Sequence, residues 1–274
     1  MIMKTHFLDN DNFEKIIKNK IKNVINFKQI QTGWTNFVFD VKTSSKDFIV
    51  RFPRNDFFSN ALVKEYDILR EIKDKITYIT PNLTLCHDKG RPFTIHEKID
   101  GKSLSECYTN LSTVDKIKLA NDICLLMKNF NEINTKNSNL ILVSTFLDNL
   151  SQVSQNNYDK TIHDYMRMLE KENLVFSHGD FNPGNLILKD NKLIAVIDFS
   201  FSGLSHPYTD LSRIIGRCPS DFKNILLNEY EKVFNIKINE NEISKLIDIW
   251  NYVEEKYILY IKEFHPSIKL PDLI

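Results

Sequence analysis

The stretch His178-Gly179-Asp180-Phe181-Asn182-Pro183-Gly184-Asn185 gathers an imidazole, a carboxylate, two amides and two glycines. It is too polar and too rich in turn formers for a strand or a helix interior. Two apolar runs follow, Leu186 to Leu188 and Leu193 to Ile197, separated by Asp190-Asn191, and then comes Asp198-Phe199. That pattern reads as a β-hairpin. Pairing its strands returns Asp198 to the neighbourhood of Asn185, so an amide oxygen and a carboxylate converge at one end of the hairpin. Hard oxygen donors of this kind suit magnesium held together with phosphate oxygens. Asp180 is then left to face a hydroxyl.

Glycine is scarce, seven in 274 residues, so its placement carries information. Gly90 and Gly216 sit where a hairpin turn and a helix C-terminus want them, whereas Gly179 and Gly184 both fall inside the polar loop.

The elements that must position this loop are legible from periodicity. Phe13, Ile16, Ile17, Ile21 and Val24 recur at helical spacing and predict an amphipathic helix over about 11–25. Runs rich in β-branched and aromatic residues near 26–31, 36–42 and 47–53 predict hairpin strands, punctuated by Thr32-Gly33 and Ser44-Ser45-Lys46. A helix over about 57–75 follows, then strands near 83–87 and 92–98 around the turn Asp88-Lys89-Gly90-Arg91-Pro92. Beyond residue 100 the pattern is mainly helical, with candidates near 112–134, 145–155, 159–172, 207–216, 219–234 and 240–263. Asn239 and Glu242 form a capping-box pattern before the last of these.

The expected fold class is α+β, with two lobes: a small N-terminal antiparallel sheet lobe carrying one key helix over residues 1–98, and a larger, mostly helical lobe over 104–274. Asp100-Gly101 ends the strand pattern, which puts a short hinge at 99–103.

Lysine plus arginine balance aspartate plus glutamate at 36 each, so no global field points to nucleic acid or an anionic membrane. Cys86, Cys107, Cys124 and Cys218 show neither zinc-site spacing nor a disulfide framework, and read as reduced thiols. The first residues lack the apolar stretch of a signal peptide, and no uninterrupted apolar run reaches ~18 residues. A cytoplasmic location is expected, with no obligate protein partner evident.

The loop from His178 to Asn185, followed by Ile197-Asp198-Phe199, resembles the catalytic loop and metal-binding segment of the aminoglycoside phosphotransferases and choline kinase-like enzymes, which share the protein-kinase-like fold. The resemblance implies that Asp180 is the catalytic aspartate, Asn185 and Asp198 the magnesium ligands, and His178 a structural brace. Thr32-Gly33-Trp34-Thr35-Asn36 lies where the family has its phosphate-covering loop, which assigns Thr32, Gly33 and Thr35 to the nucleotide. Arg51 stands where the family more commonly carries a lysine, and choline kinase-like members also use arginine there. Arginine retains a permanent charge and can grip phosphate with two hydrogen bonds. Glu65 resembles the glutamate that orients this basic residue. Phe93 to Gly101 is similar to the interlobe hinge, where backbone groups near Glu97 and Ile99 would meet the purine, ATP and GTP being equally compatible. His206-Pro207-Tyr208-Thr209-Asp210-Leu211 is similar to the family's Asp-Pro-x-x-Asp-Leu stretch with histidine for the first aspartate, and Asp210 takes a structural role.

The activity implied is transfer of the γ-phosphoryl of ATP or GTP, with Mg2+, to a hydroxyl of a small molecule, with an aminoglycoside antibiotic as the leading acceptor. Glu254 and Glu255 on the last helix are the candidate contacts for a cationic substrate. Two alternatives stand beside this: a metabolic kinase of the choline, homoserine or methylthioribose type, and a nucleotide-binding pseudokinase acting as an interaction module. Ser200 after the Asp-Phe pair disfavours choline, and intact Asp180, Asn185 and Asp198 favour an enzyme. The chain lacks the His-Arg-Asp loop and Ala-Pro-Glu segment of a protein kinase.

Overall fold

The computed structural model describes residues 6–8, 11–30, 35–135, 160–170 and 172–264. The chain forms two compact units, one made of Met1–Leu69, Pro81–Ile99 and Tyr257–Ile274, the other of Arg70–Thr80 and Asp100–Lys256.

The first unit opens with α1 (Phe13–Lys20), where the Asn12 side chain accepts from Lys15 N and satisfies a first-turn donor. The helix stops short of the expected residue 25. Asn23 adopts φ 55°, which asparagine tolerates better than most residues, and Val24 already begins β1 (Val24–Ile30). Strands β2 (Asn36–Thr43) and β3 (Asp47–Pro53) follow, then helix α2 (Asp56–Ile72), then β4 (Thr84–Asp88) and β5 (Arg91–Glu97). The sheet is antiparallel with strand order β1-β2-β3-β5-β4, so α2 is inserted between neighbours β3 and β4 in sequence but not in space. The β4–β5 turn places Lys89 and Gly90 at φ 50° and 82°, the paired positive angles that a two-residue hairpin requires.

Alternation along the strands decides what each face carries. Phe37, Phe39 and Val41 of β2, Val50 and Phe52 of β3, and Phe93 and Ile95 of β5 are buried on one side, beneath Ile16 and Ile17 of α1 and Phe7. The rings interlock. Phe52 stacks on Phe93 with centroids 4.9 Å apart, and Phe7 and Phe13 lie 4.8 and 5.0 Å from Phe52. Arg51 lies between Val50 and Phe52, so the pleat turns it to the opposite face. Its register there is fixed by Val38 on one side and Thr94 on the other.

The second unit contains β6 (Lys102–Ser103), α3 (Leu104–Cys107), α4 (Thr113–Asn131), α5 (Lys160–Leu169), β7 (Val175–Ser177), β8 (Leu186–Lys189), β9 (Lys192–Val196), β10 (Gly203–Ser205), α6 (Thr209–Ile215), α7 (Ser220–Phe234) and α8 (Glu240–Phe264), whose last turns belong to the first unit. Within the stretch read as a hinge, Lys102 and Ser103 pair with Leu188 and Ile187, and a complete capping box of Ser103 with Glu106 starts α3 at once. Strands β6, β8 and β9 form one small sheet, β7 and β10 another. Helix α4 buries Leu119, Ile123, Cys124, Leu126, Met127 and Phe130, and the thiol of Cys124 donates to Leu226 O of α7 at 3.8 Å. At the start of α8, Glu242 N reaches Asn239 Oδ1 at 3.4 Å, one half of the expected capping box. The helix expected near 145–155 lies outside the described residues. Among the described residues no helix is long and apolar enough to cross a membrane.

Phe52 touches rings from α1, β5 and the N-terminal segment, so its loss opens a void that no single neighbour can fill. Phe52→Ala is expected to cost about 3–5 kcal/mol, measured as a shift in the denaturant midpoint of the purified protein.

Candidate active site

The polar loop begins where β7 ends. A loop here must find partners for backbone N–H groups that no strand accepts. Asp210, in the first turn of α6 and only 4% exposed, supplies them: Oδ2 accepts from His178 N and Oδ1 from Gly179 N, both at 2.9 Å. Burial pushes the Asp210 carboxyl up, against the pull of His178 and the two backbone donors. Gly179 sits at φ 79°, and a Cβ there would lie 2.2 Å from the carbonyl oxygen of Phe201. Only glycine fits.

His178 is fully buried, its ring 4.6 Å from that of Phe199 and 5.7 Å from that of Phe181. Nε2 lies 2.9 Å from the carbonyl oxygen of Ile197, and since a carbonyl only accepts, Nε2 carries the proton. The histidine therefore ties the loop to the end of β9.

Asn182 and Asn185 shape the rest. The Asn182 side chain accepts from Gly184 N at 2.8 Å and caps the single 3-10 turn Pro183–Asn185. Asn185 Nδ2 donates to the Asp180 carbonyl at 2.8 Å and to Asp180 Oδ2 at 3.2 Å. The hairpin then closes as the spacing predicts. Leu186 pairs with Val196, Ile197 N donates to Asn185 O at 3.0 Å, and the turn Asp190-Asn191 takes φ 51° and 60°. Asp198 follows at φ 63°, a left-handed conformation unusual for a residue with a side chain, and Ser200 Oγ donates to its Oδ1.

Arg213, which sequence reasoning missed, donates from Nη2 to Asp180 Oδ1. The signal was present: Asp210 and Arg213 are three residues apart on one helix, hence on one face, and the face that holds the loop's backbone also meets its carboxylate. Burial pushes the Asp180 carboxyl up, but the Arg213 guanidinium outweighs it and holds the group below the usual carboxylate range.

Glu254 pairs with Arg217, whereas Glu255, one residue on, is exposed. Successive residues on a helix point ~100° apart, so the two candidate substrate carboxylates do not share a direction.

In the first unit, Arg51 Nη2 donates to Glu65 Oε2 at 2.5 Å, with Arg51 Nε 3.4 Å from Thr94 Oγ1. The pair is buried, Arg51 8% and Glu65 1% exposed. Glu97 is exposed at the end of β5 and pairs with Lys46 at 2.6 Å, and Ile99 is half-buried two residues on. Thr35 accepts at its carbonyl from Arg54 N and at its hydroxyl from Asn36 Nδ2. Thr32 and Gly33 lie outside the described residues. The structure thus brings His178, Asp180, Asn185 and Asp210 together, with Asp198 next to Ile197 at the closing bond, and pairs Arg51 with Glu65.

A magnesium ion needs hard oxygen donors. Asn185 has its amide nitrogen engaged by Asp180, so the carbonyl oxygen is the group it offers, and Asp198 adds a carboxylate. That donor set fits the ion. Among the described residues no group of three or more histidine, cysteine, aspartate or glutamate side chains could hold a metal.

A sequence profile of the family described as the phosphotransferase enzyme family matches residues 26–234. A search of curated protein sequences finds no match. Among solved structures, the GDP and kanamycin complex of APH(2")-IIIa superposes with TM-score 0.71 at 15% identity, covering 92% of this chain and 91% of that one. Aminoglycoside-3'-phosphotransferase of type VIII gives 0.68 at 12% identity, over 89% and 97%. The macrolide 2'-phosphotransferase MphH from Brachybacterium faecium gives 0.62 at 11% identity, over 96% and 100%. The chain therefore has the protein-kinase-like fold of these structures.

Two substitutions test how the loop is held. Gly179→Ala is expected to destabilise by about 3–5 kcal/mol through backbone strain and collision with a carbonyl. Asp210→Ala leaves two buried N–H donors unpaired at ~1–3 kcal/mol each. Chemical denaturation measures both, and wild-type midpoints would remove this account of the loop.

Proposed function

The chain belongs to the phosphotransferase enzyme family, and from that membership we propose that it transfers the γ-phosphoryl of ATP or GTP to a hydroxyl of a small molecule, an aminoglycoside antibiotic being the leading acceptor. The observation that carries this reading is the polar loop itself: Asp180 bonded to Asn185, and Asn185 bonded through its carbonyl to the segment that delivers Asp198.

In this reading residues 1–98 form the nucleotide-binding lobe, 99–103 a hinge, and 104–274 the catalytic and substrate-binding lobe. Thr32, Gly33 and Thr35 cover the phosphates. Arg51, held by Glu65, grips them, and backbone groups near Glu97 and Ile99 meet the purine. Asn185 and Asp198 hold Mg2+, which when bound neutralises charge on the phosphate oxygens. The acceptor oxygen forms its bond to phosphorus as the bond to the nucleoside diphosphate breaks, and its proton passes to Asp180. A carboxylate whose proton affinity is lowered by Arg213 acts mainly by orienting that hydroxyl and takes the proton late, as a loose transition state requires. Free cysteines at 86, 107, 124 and 218 suit a cytoplasmic enzyme.

The acceptor class is supported by the kanamycin and gentamicin named with two of the similar structures and by Glu255 on α8. A metabolic acceptor is favoured by one observation: the partner of Glu254 is Arg217, so one of the two acids is already neutralised.

Steady-state transfer from MgATP and MgGTP to a panel of aminoglycosides, choline, homoserine and methylthioribose tests both. Turnover on aminoglycosides is expected, abolished by chelation of the metal and lowered ~10^2–10^4-fold by Asp180→Asn with nucleotide affinity unchanged. Turnover confined to a comparator makes the protein a metabolic kinase. Nucleotide binding without transfer to any acceptor makes it a pseudokinase.

A further inference from the structure

Helix α6 presents Asp210 and Arg213 to one side, and Arg217 follows just beyond its C-cap, Gly216. The spacing of three and four residues keeps successive members on adjoining turns. Helix α8 presents Trp250 and Glu254, also four apart. The two pairs meet. The Arg213 guanidinium lies over the Trp250 ring, 4.8 Å from its centroid, and Arg217 pairs with Glu254. A Cβ at Gly216 would sit 3.1 Å from Ser212 O of its own helix and in ordinary contact, 3.6 Å, with Cγ2 of Ile247 on α8.

The arginine so held ends on Asp180. Its side chain is 11% exposed and that of Asp180 is 24% exposed. Arg213 Nε and Trp250 Nε1 are both buried and have no hydrogen-bond partner among the described residues. What the arrangement does achieve is geometric. Oδ1 of Asp180 is held by Arg213 and Oδ2 by Asn185, so the carboxylate cannot rotate, and the lone pairs not engaged by these donors face a fixed direction.

We propose that Arg213 is the positioning residue for Asp180, with Trp250 of the last helix as its support, so that α8 sets the orientation of the catalytic carboxylate. The inference rests on the assignment of Asp180 as the catalytic aspartate. The acids of α8 are then not merely a substrate surface, because the same helix braces the group that receives the acceptor hydroxyl.

The test is a kinetic double-mutant cycle on the full chain, with phosphate transfer from MgATP and MgGTP to kanamycin and, separately, to water. Arg213→Met is expected to lower kcat ~10–100-fold, the scale of a misplaced catalytic group, with nucleotide KM unchanged. Arg213→Lys restores part of the loss, and Trp250→Leu lowers kcat ~3–10-fold, as loss of a support rather than of the contact itself. In the Asp180→Asn background Arg213→Met changes kcat by less than ~2-fold, since coupled residues are not additive. Equal factors in both backgrounds, an unchanged kcat, or a loss confined to nucleotide KM would overturn the inference while the assignment of Asp180 stands. If Arg213→Met does not fold, Arg213→Lys and Trp250→Phe carry the same cycle. Wild-type activity in Asp180→Asn, or a silent wild type, would overturn the assignment and the inference with it.

Discussion

A polar loop that leaves its strand has to find partners for its own backbone N–H groups, and here the anchor is the buried carboxylate of Asp210 on α6. Two convergent N–H bonds fix the peptide units on either side of His178, and that fixes where Asp180 begins. Everything downstream is set from this point. Gly179 turns the chain, His178 reaches the end of β9, Asn185 returns to Asp180, and the hairpin carries Asp198 back. A buried acid accepts the cost of desolvation only where it replaces several bonds that water would otherwise make. Asp210 does so with both oxygens.

The first unit obeys a different constraint. Its sheet must be apolar on one face and must hold a charge on the other, and strand alternation separates the two within β3. Val50 and Phe52 enter a core of interlocked rings while Arg51, between them, is met by Glu65. A guanidinium so deeply placed needs a carboxylate partner, because breaking a buried pair leaves an uncompensated charge. Arginine suits this position through its rigid fork, which can hold Glu65 with one edge and present further donors with another. The departure from lysine is thus consistent with the way the residue is held.

Most strand and helix positions were legible because periodicity and punctuation agree with one another, as at β3, where 47–53 was expected and found, and at the hairpin turn Asp190-Asn191. The apolar stripe runs past the end of the opening helix, because Ile21 and Val24 continue it although the helix stops at Lys20. The chain has already left the helix at Ile21, whose backbone is extended (φ −112°, ψ 123°), and turns left-handed at Asn23. The polar loop was legible as a set of residues, and its internal bonds follow from close spacing. What sequence could not show is which distant side chain completes a charge. Arg213 and Asp180 are far apart along the chain, and nothing local distinguishes Arg213 from a solvated helix residue except its phase with Asp210. Glu254 illustrates the converse. Its type and helix suggested a substrate contact, while its partner, Arg217, depends on the end of α6 meeting α8.

That meeting explains why the last helix cannot be assigned by composition alone. An acidic, aromatic helix near a kinase-like site invites the view that its carboxylates await a cation, because exposed acids and flat rings suit such ligands. In this chain the ring at 250 already has a cation over its face, and the acid at 254 already has its arginine. Both arginines come from the C-terminal end of α6 or just past it, and the other end of that helix anchors the polar loop. A single short helix, α6, therefore fixes the loop's backbone through Asp210, engages its carboxylate through Arg213 and meets α8 through Arg213 and, just past its end, Arg217. Rigid side-chain contacts of this kind transmit position over a few ångströms without any need for motion. With Asp180 as the proposed catalytic aspartate, variation in α8 would act on the orientation of that carboxylate through Arg213, which makes α6 the element that couples the last helix to the polar loop.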